Sequence, residues 1–508
     1  MPALSKPSNT YDFVVVGAGV AGCVIASRLS EEPSARVLLV EAGSATPPPA
    51  SAIPQVWPTM IGSSVDWGDS TTVQSATGSS IRLVRGRGIG GSSATNAMMF
   101  VRGHRTSYAA WENVGAKSWG YDDLLPYFKR SETAVGGDPA LRGNSGPMRV
   151  GAIDPLHPVI AAGLDAAVQC GYRRATDISG GLEVGFGPAF LNIAGGKRLS
   201  AADAYLLPAL SRPNLEFVAD ATVHGLRIVN GRCTGVEYST AEGTSISVAC
   251  SDEVALAAGT IGSAQLLMLS GVGPQQHLRD VGVPITLDVP GVGSNFHDHV
   301  MAPVVFRSSR PMPPSRSSHG EAIGLIQTEY AGDGPDVQLL FIDSTGIGIP
   351  GDDGSVIGYV IVAALMLPFS RGSIRLSGPN VDDAPIIDPN YFGDERDLRT
   401  LVAGLRLARR IGAASAYDPW RSAEAVPGPA VDDDEALRDF AKAAYQSYFH
   451  PVGTCAMGDT DMSVVDSELR VHGISGLRVA DGSVMPSIPS ANTAATVYAI
   501  AEIGRAHV

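Results

Sequence analysis

Near the C-terminal end, the stretch "SYFHPVGTCAMG" from Ser447 to Gly458 sets a titratable ring among small, aromatic and aliphatic neighbours. No lysine, arginine or carboxylate falls within it. His450 precedes Pro451, and a residue ahead of proline is driven from helical toward extended backbone, so the imidazole projects from a fixed, non-helical chain. Tyr448, Phe449 and Val452 can keep water away, and desolvation disfavours the cationic ring. An imidazole held neutral in this way is ready to accept a proton. A buried histidine is more often a core residue with satisfied hydrogen bonds, so the rest of the chain has to decide its role.

At the opposite end, "YDFVVVGAGVAGCVIASRLSEEPSARVLLVEAG" reads as strand, turn, helix, strand. Phe13 to Val16 is a short apolar run suited to a parallel strand buried on both faces. Gly17, Gly19 and Gly22 follow as G-x-G-x-x-G. Gly17 permits the tight turn, Gly19 lets backbone approach a pyrophosphate, and Gly22 lets helix pack close to strand. The helix N-terminus offers free N–H groups and a positive dipole end to the phosphates. Glu41, at the end of the second strand, can accept hydrogen bonds from both ribose hydroxyls of an adenosine. The unit binds a dinucleotide, but by itself does not choose between FAD and NAD.

Composition narrows the partners. A chain of 508 residues has room for one large or two to three ordinary domains. Its net charge of −14, from 37 basic and 51 acidic residues, repels nucleic acid and anionic membranes. The five cysteines, Cys23, Cys170, Cys233, Cys250 and Cys455, are odd in number and form no CxxC pair, which fits a reducing compartment better than a disulfide scaffold or a zinc site. The start "MPALSKPSNT" is polar and lacks a secretory pattern. The most apolar later run, "VIGYVIVAALMLPF", is about fourteen residues long and ends at proline, too short to span a bilayer. A cytoplasmic protein acting on a small molecule is expected.

Three further stretches favour a flavin. They are "GRGIGGSSATNAMMFVRG" (Gly86 to Gly103), "AAGTIGSAQLLMLSGVGP" (Ala257 to Pro274), and the C-terminal "HPVGTCAMG" with "LRVADGSVMPSIPSANTAATVYAIAEIGRAH". With the N-terminal unit, and with "LPFSRGSIRLSGP" and "IIDPNYFGDERDLRTLVAGLRLARRIG", they resemble the glucose–methanol–choline (GMC) family of FAD-dependent alcohol oxidoreductases over nearly the whole chain. The resemblance implies an α/β (α+β) fold. A Rossmann-like FAD domain would be assembled from residues 1–150, 197–303 and 451–508, and a substrate domain on an antiparallel sheet from 151–196 and 304–450. The residues themselves agree in part: 337–344 and 359–376 are strand-like, and 378–397 looks like a surface connection before a helix.

By the same resemblance, Gly86 to Asn96, with Arg87 and Gly91, passes alongside the flavin and its pyrophosphate. Asn96 and Ala97 would sit near the ring's pyrimidine edge, Val223 at the adenine, and Asp481 at the ribityl or phosphate region. Some relatives carry a flavin-linked histidine where Thr95 stands, and threonine cannot form that link, so FAD is expected to be non-covalent. The family's active-site histidine falls at His450, which would take the hydroxyl proton while hydride leaves the carbinol carbon. A histidine or asparagine accompanies it in the family, and here this is Asn492, at the expected start of a terminal helix. Its amide can hold a substrate oxygen but cannot act as base.

The activity implied is oxidation of a primary alcohol to an aldehyde, with oxygen or a quinone-type carrier as electron acceptor. Aromatic hydroxymethyl compounds suit the Tyr448–Phe449 wall, whereas choline would want a carboxylate and an aromatic cage that the sequence does not reveal. A hydroxynitrile lyase on the same fold, a choline or aliphatic alcohol dehydrogenase and a non-enzymatic flavoprotein are the alternatives. "NFHDH" (Asn295 to His299) puts two imidazoles on one face of an extended strand. It lacks a third ligand and is structural in the family, so no metal is expected. His104 and His472 are expected at the surface and Cys455 in buried packing. Many relatives show arginine where Ala456 stands.

Overall fold

A computed structural model describes residues 10–345 and 355–506 of the chain. Residues 1–9, 346–354 and 507–508, which fall within the expected domain spans, lie outside the described residues. Two seven-stranded sheets organise it.

The first sheet is built around the N-terminal strand Thr10–Val16. It pairs in parallel with Val37–Val40 on one side and with Ser245–Leu256 on the other. Leu215–Val218 and Leu477–Val479 extend the parallel part at its two flanks. Two antiparallel strands, Ala221–Val229 and Arg232–Thr240, continue from Ser245–Leu256. Val14, Val15, Leu38 and Leu39 have no exposed surface, as a parallel strand covered on both faces requires. The helix after the glycine turn runs Val20–Leu29 and begins directly on Gly19. Gly22 explains the close entry: a Cβ there would fall 1.7 Å from the Gly17 carbonyl oxygen.

The second sheet is antiparallel. Its order is Arg421–Val426, Val300–Ser308, Gly358–Leu365, Val337–Ile342, Gly320–Ile326, Gly185–Pro188. Alternation along each strand divides its two apolar faces. Val300, Ala302, Val304, Leu339, Phe341, Ile361 and Ala363 pack with residues of the helices Glu395–Gly412 and Pro158–Gln169. Met301, Val305, Leu340, Ile342, Val360 and Val362 form the opposite core with Met99 and Tyr448. Gln338 lies in the same alternate set as Leu340 and Ile342, a fully buried amide in an otherwise apolar row.

Two expectations change. The run 359–376 is not one strand: it breaks after Leu365 and resumes at Ser373–Arg375, because Pro368 and the turn to Gly372 interrupt the ladder. The connection 378–397 is more than surface: Ile386–Asp388 pairs with Ser373–Arg375, and residues 381–385 line the main cavity. Among the described residues no helix is long and apolar enough to cross a membrane.

Candidate active site

A cavity of about 660 Å³ runs between the two sheets. Gly17, Gly19, Glu41, Arg87, Gly91, Asn96, Ala97, Val223, Asp481, His450 and Asn492 all line it. Gly22 does not, since it is occupied in packing helix against loop.

The glycine loops meet each other as a cradle. Gly17 takes φ of 98°, and a Cβ on it would meet the Ala257 carbonyl at 2.7 Å. A Cβ on Gly91 would lie 2.7 Å from the Gly19 Cα, so the two loops touch only because both are bare. On Gly19 itself a Cβ finds nothing nearer than 3.9 Å, which leaves open space where a phosphate can approach backbone. Glu41 ties this together. Its carboxylate accepts from the backbone N–H of Ala18 at 2.7 Å, Gly43 at 2.8 Å and Gly88 at 3.0 Å. A carboxylate has about four acceptor positions, so capacity remains toward the cavity. A bare glycine cradle, a helix N-terminus and a buried carboxylate beside them fit the adenosine diphosphate part of FAD.

Asp481 is buried and fully engaged within the protein. It accepts from Gly259 N–H and the Ser263 hydroxyl on one oxygen, and from Ser483 N–H and hydroxyl on the other. It thereby fixes the start of the helix Gly259–Leu269 against the C-terminal loop. Asn96 Oδ1 accepts from Arg198 at 2.7 Å and from Met98 N–H at 3.0 Å. Arg198, which the sequence did not single out, is a buried guanidinium whose pKa desolvation lowers to about 10.

At the other end of the cavity stands His450. The segment Phe296–Met301 runs antiparallel to Gln446–Val452, through the His297–Val452 bridge and the Val300–Ser447 pair. Asp298 sits across this seam. It accepts from the His450 backbone N–H at 2.8 Å, the Ser447 hydroxyl at 2.5 Å and the Tyr391 hydroxyl at 2.7 Å. Burial nevertheless raises its pKa to about 6, against the pull of those bonds. Phe449 adopts φ of 66°, a left-handed conformation that costs an ordinary residue about 1–2 kcal/mol. Ser447 accepts the Phe449 N–H and braces that turn. The backbone is therefore bent and pinned on either side of the histidine.

His450 is 9% exposed, and desolvation holds its pKa down to about 3. Its Nε2 lies 3.2 Å from Asn492 Nδ2, and its Nδ1 2.9 Å from His299 Nδ1. Tyr448 meets it edge-on at 4.8 Å between ring centres. Asn492 precedes the terminal helix, which starts at Ala494, close to the expected position. The Thr493 carbonyl already accepts from Val497 N–H, so Asn492 is free to turn its side chain into the site. Gln338 donates to Asn492 Oδ1 at 3.4 Å and accepts from the Tyr448 hydroxyl at 2.8 Å.

His299 corrects the reading of "NFHDH" as structural only, because that ring contacts His450 directly. Its spacing from His297 invited a metal reading and hid the pairing across strands. His104 is half-buried, with Nδ1 2.9 Å from the Thr106 hydroxyl, while His472 is exposed. Cys455 is buried, and desolvation pushes its thiol above the ordinary range. Ala456 does not line the cavity.

Sequence profiles of GMC oxidoreductases match residues 11–301 with the N-terminal half of the family and 368–501 with the C-terminal half. The chain is a GMC oxidoreductase. It is 36% identical to human mitochondrial choline dehydrogenase, covering 98% of this chain and 89% of that protein. It is 35% identical to pyridoxine 4-oxidase of Microbacterium luteolum, over 97% and 98% of the two chains. The crystal structure of pyridoxine 4-oxidase from Mesorbium loti superposes with a TM-score of 0.93 at 34% identity, over 98% of each chain. Membership makes this GMC oxidoreductase an FAD flavoprotein that oxidises alcohols at CH–OH donors.

Replacing Glu41 by Ala removes the acceptor shared by both glycine loops. The expected outcome is protein purified with a much lower flavin-to-protein absorbance ratio, and normal turnover in the fraction that retains FAD. A full flavin complement would contradict this role.

Proposed function

We propose that this GMC oxidoreductase converts a primary alcohol bearing an uncharged, aromatic-sized substituent into its aldehyde. His450 is the base and Asn492 holds the substrate oxygen. The carrying observation is the His450 Nε2 beside the Asn492 amide, in a buried pocket where the imidazole stays neutral. Bound FAD supplies the hydride acceptor. His450 Nε2 takes the hydroxyl proton, and the Asn492 N–H group, 3.2 Å away, hydrogen-bonds the same oxygen and keeps it in line. A base within hydrogen-bond reach contributes ~10²–10⁴-fold to such a step. The N-terminus of the helix Ala494–Ala506 opens on the cavity at Thr493 and Ala494, where its dipole favours negative charge.

The walls near this pair support the substrate class. Met99, Met301, Leu340, Ile342 and Val362 are apolar, and Trp57 and Tyr448 add aromatic surface. None of these seven offers a carboxylate to a trimethylammonium group, which supports an aromatic hydroxymethyl compound over choline, while Asp69, Asp382 and Asp383 also line the cavity. The electron acceptor in this reading is oxygen or a quinone-type carrier. FAD is held without a covalent link in this reading, since the cavity wall carries Thr95, whose hydroxyl donates to the Ser92 carbonyl at 3.3 Å, where a flavin-linking histidine would be needed. Residues 1–150, 197–303 and 451–508 form the cofactor unit of this reading, and 151–196 and 304–450 the substrate unit.

Anaerobic mixing with an arylmethanol should bleach the flavin, and a stable yellow colour with aldehyde release would point to a lyase. His450→Ala should keep FAD and slow that bleaching by ~10²-fold or more; an unchanged rate would remove His450 as base. Because the neutral ring is the active form and its pKa lies well below the ordinary 6.5, the bleaching rate should stay flat as pH falls from about 8 to about 6.5, the range in which Asp298, raised to about 6, stays mostly ionised. A loss centred near 6.5 would contradict the desolvated setting. Acid precipitation should release the flavin into the supernatant, and flavin that stays with the pellet would overturn the non-covalent assignment.

A further inference from the structure

We propose that His299 is a positioning residue that sets which nitrogen of His450 carries the proton, with the Met366 carbonyl as the anchor that gives the arrangement its direction. This rests on the reading of His450 as base.

Donor and acceptor roles alone fix the direction. His299 Nε2 lies 3.1 Å from the Met366 carbonyl oxygen. A carbonyl oxygen only accepts, so His299 carries its proton on Nε2. Burial with no exposed surface keeps that ring neutral, and a neutral imidazole has one N–H, which leaves His299 Nδ1 as a bare acceptor. His450 Nδ1, at 2.9 Å, must then be the donor of the pair. With its single proton on Nδ1, His450 presents a bare Nε2 to the cavity.

The partners on the far side agree. A bare Nε2 must receive a hydrogen bond, and it faces the Asn492 amide nitrogen at 3.2 Å. That orientation leaves Asn492 Oδ1 to accept from Gln338 Nε2, and Gln338 Oε1 to accept from the Tyr448 hydroxyl. Each group from Tyr448 to Met366 thus donates in the same sense along one chain. The reverse sense would place protons on both nitrogens of His299 or leave two acceptors facing each other at Met366. Amides and imidazoles can be flipped, but a backbone carbonyl cannot, and it breaks the symmetry.

The consequence is specific to proton transfer. A His450 ring with its proton on Nε2 would point a donor at the substrate hydroxyl and could not take its proton without first rearranging. The direction set at Met366 keeps the accepting nitrogen toward the substrate before it arrives. When the hydroxyl proton moves to Nε2, the N–H on Nδ1 is already paired, so the new cation keeps a hydrogen-bond partner in a desolvated site.

The test is made on the FAD-loaded enzyme. Nitrogen-15 spectra of the histidine-labelled resting protein, with His450→Gln for assignment, should show His450 with a protonated Nδ1 and a bare Nε2. His299→Leu, which removes the acceptor, should slow anaerobic flavin bleaching by about 10–10²-fold with little change in the substrate concentration for half-maximal rate. His299→Asn, whose side-chain oxygen can accept the same N–H, should recover most of that loss. A protonated Nε2 in the resting protein, or a His299→Leu variant that bleaches at the parent rate, overturns the proposal. Should His299→Leu fail to fold, the resting spectrum and the Asn variant still decide it. Fast bleaching in His450→Ala would instead remove the base reading, and the two failures are separate.

Discussion

A polar nitrogen buried away from water has to be matched: a lone pair needs a donor and an N–H needs an acceptor. Around His450 this requirement is met entirely by uncharged partners, His299 on one ring nitrogen and Asn492 on the other. The nearby carboxylate, Asp298, grips the backbone N–H of His450 and not its ring. That division matters electrostatically. A carboxylate on the ring would favour the imidazolium, whereas neutral partners in a desolvated pocket leave the ring as free base.

Much of the architecture can be understood as what this matching demands. The antiparallel sheet offers one face to its helices and the other to the cavity, so Met301, Leu340, Ile342 and Val362 dry the site while Gln338 in the same set reaches Asn492. The parallel sheet brings its glycine loops to the same cavity, where Glu41 holds them in contact. The seam between Phe296–Met301 and Gln446–Val452 then joins the two, and the left-handed turn at Phe449 turns the chain just ahead of the histidine.

The cofactor end was the more legible in the linear chain. Gly17, Gly19, Gly22 and Glu41 lie within a few tens of residues, and each has a task set by local sterics or by the end of a strand. His450 was legible through its proline and its uncharged neighbours. Asn492 rested on family resemblance and on its place at the start of the terminal helix, and its contacts with His450 and Gln338 became visible only in the folded chain. Strand faces were obscure for a physical reason: Val337–Ile342 and Gly358–Leu365 are buried on both sides, so apolar residues do not alternate with polar ones.

Local chemistry along the chain pointed to a dinucleotide cradle and to a titratable ring in extended, apolar surroundings. It could not establish what either nitrogen of that ring meets. His299 and His450 are 151 positions apart, and Gln338 and Asn492 are 154, so no periodicity or spacing links them. Only the pairing of distant strands sets those side chains against one another, and hydrogen-bond direction, unlike helix or strand preference, is a property of the contact and not of the residue.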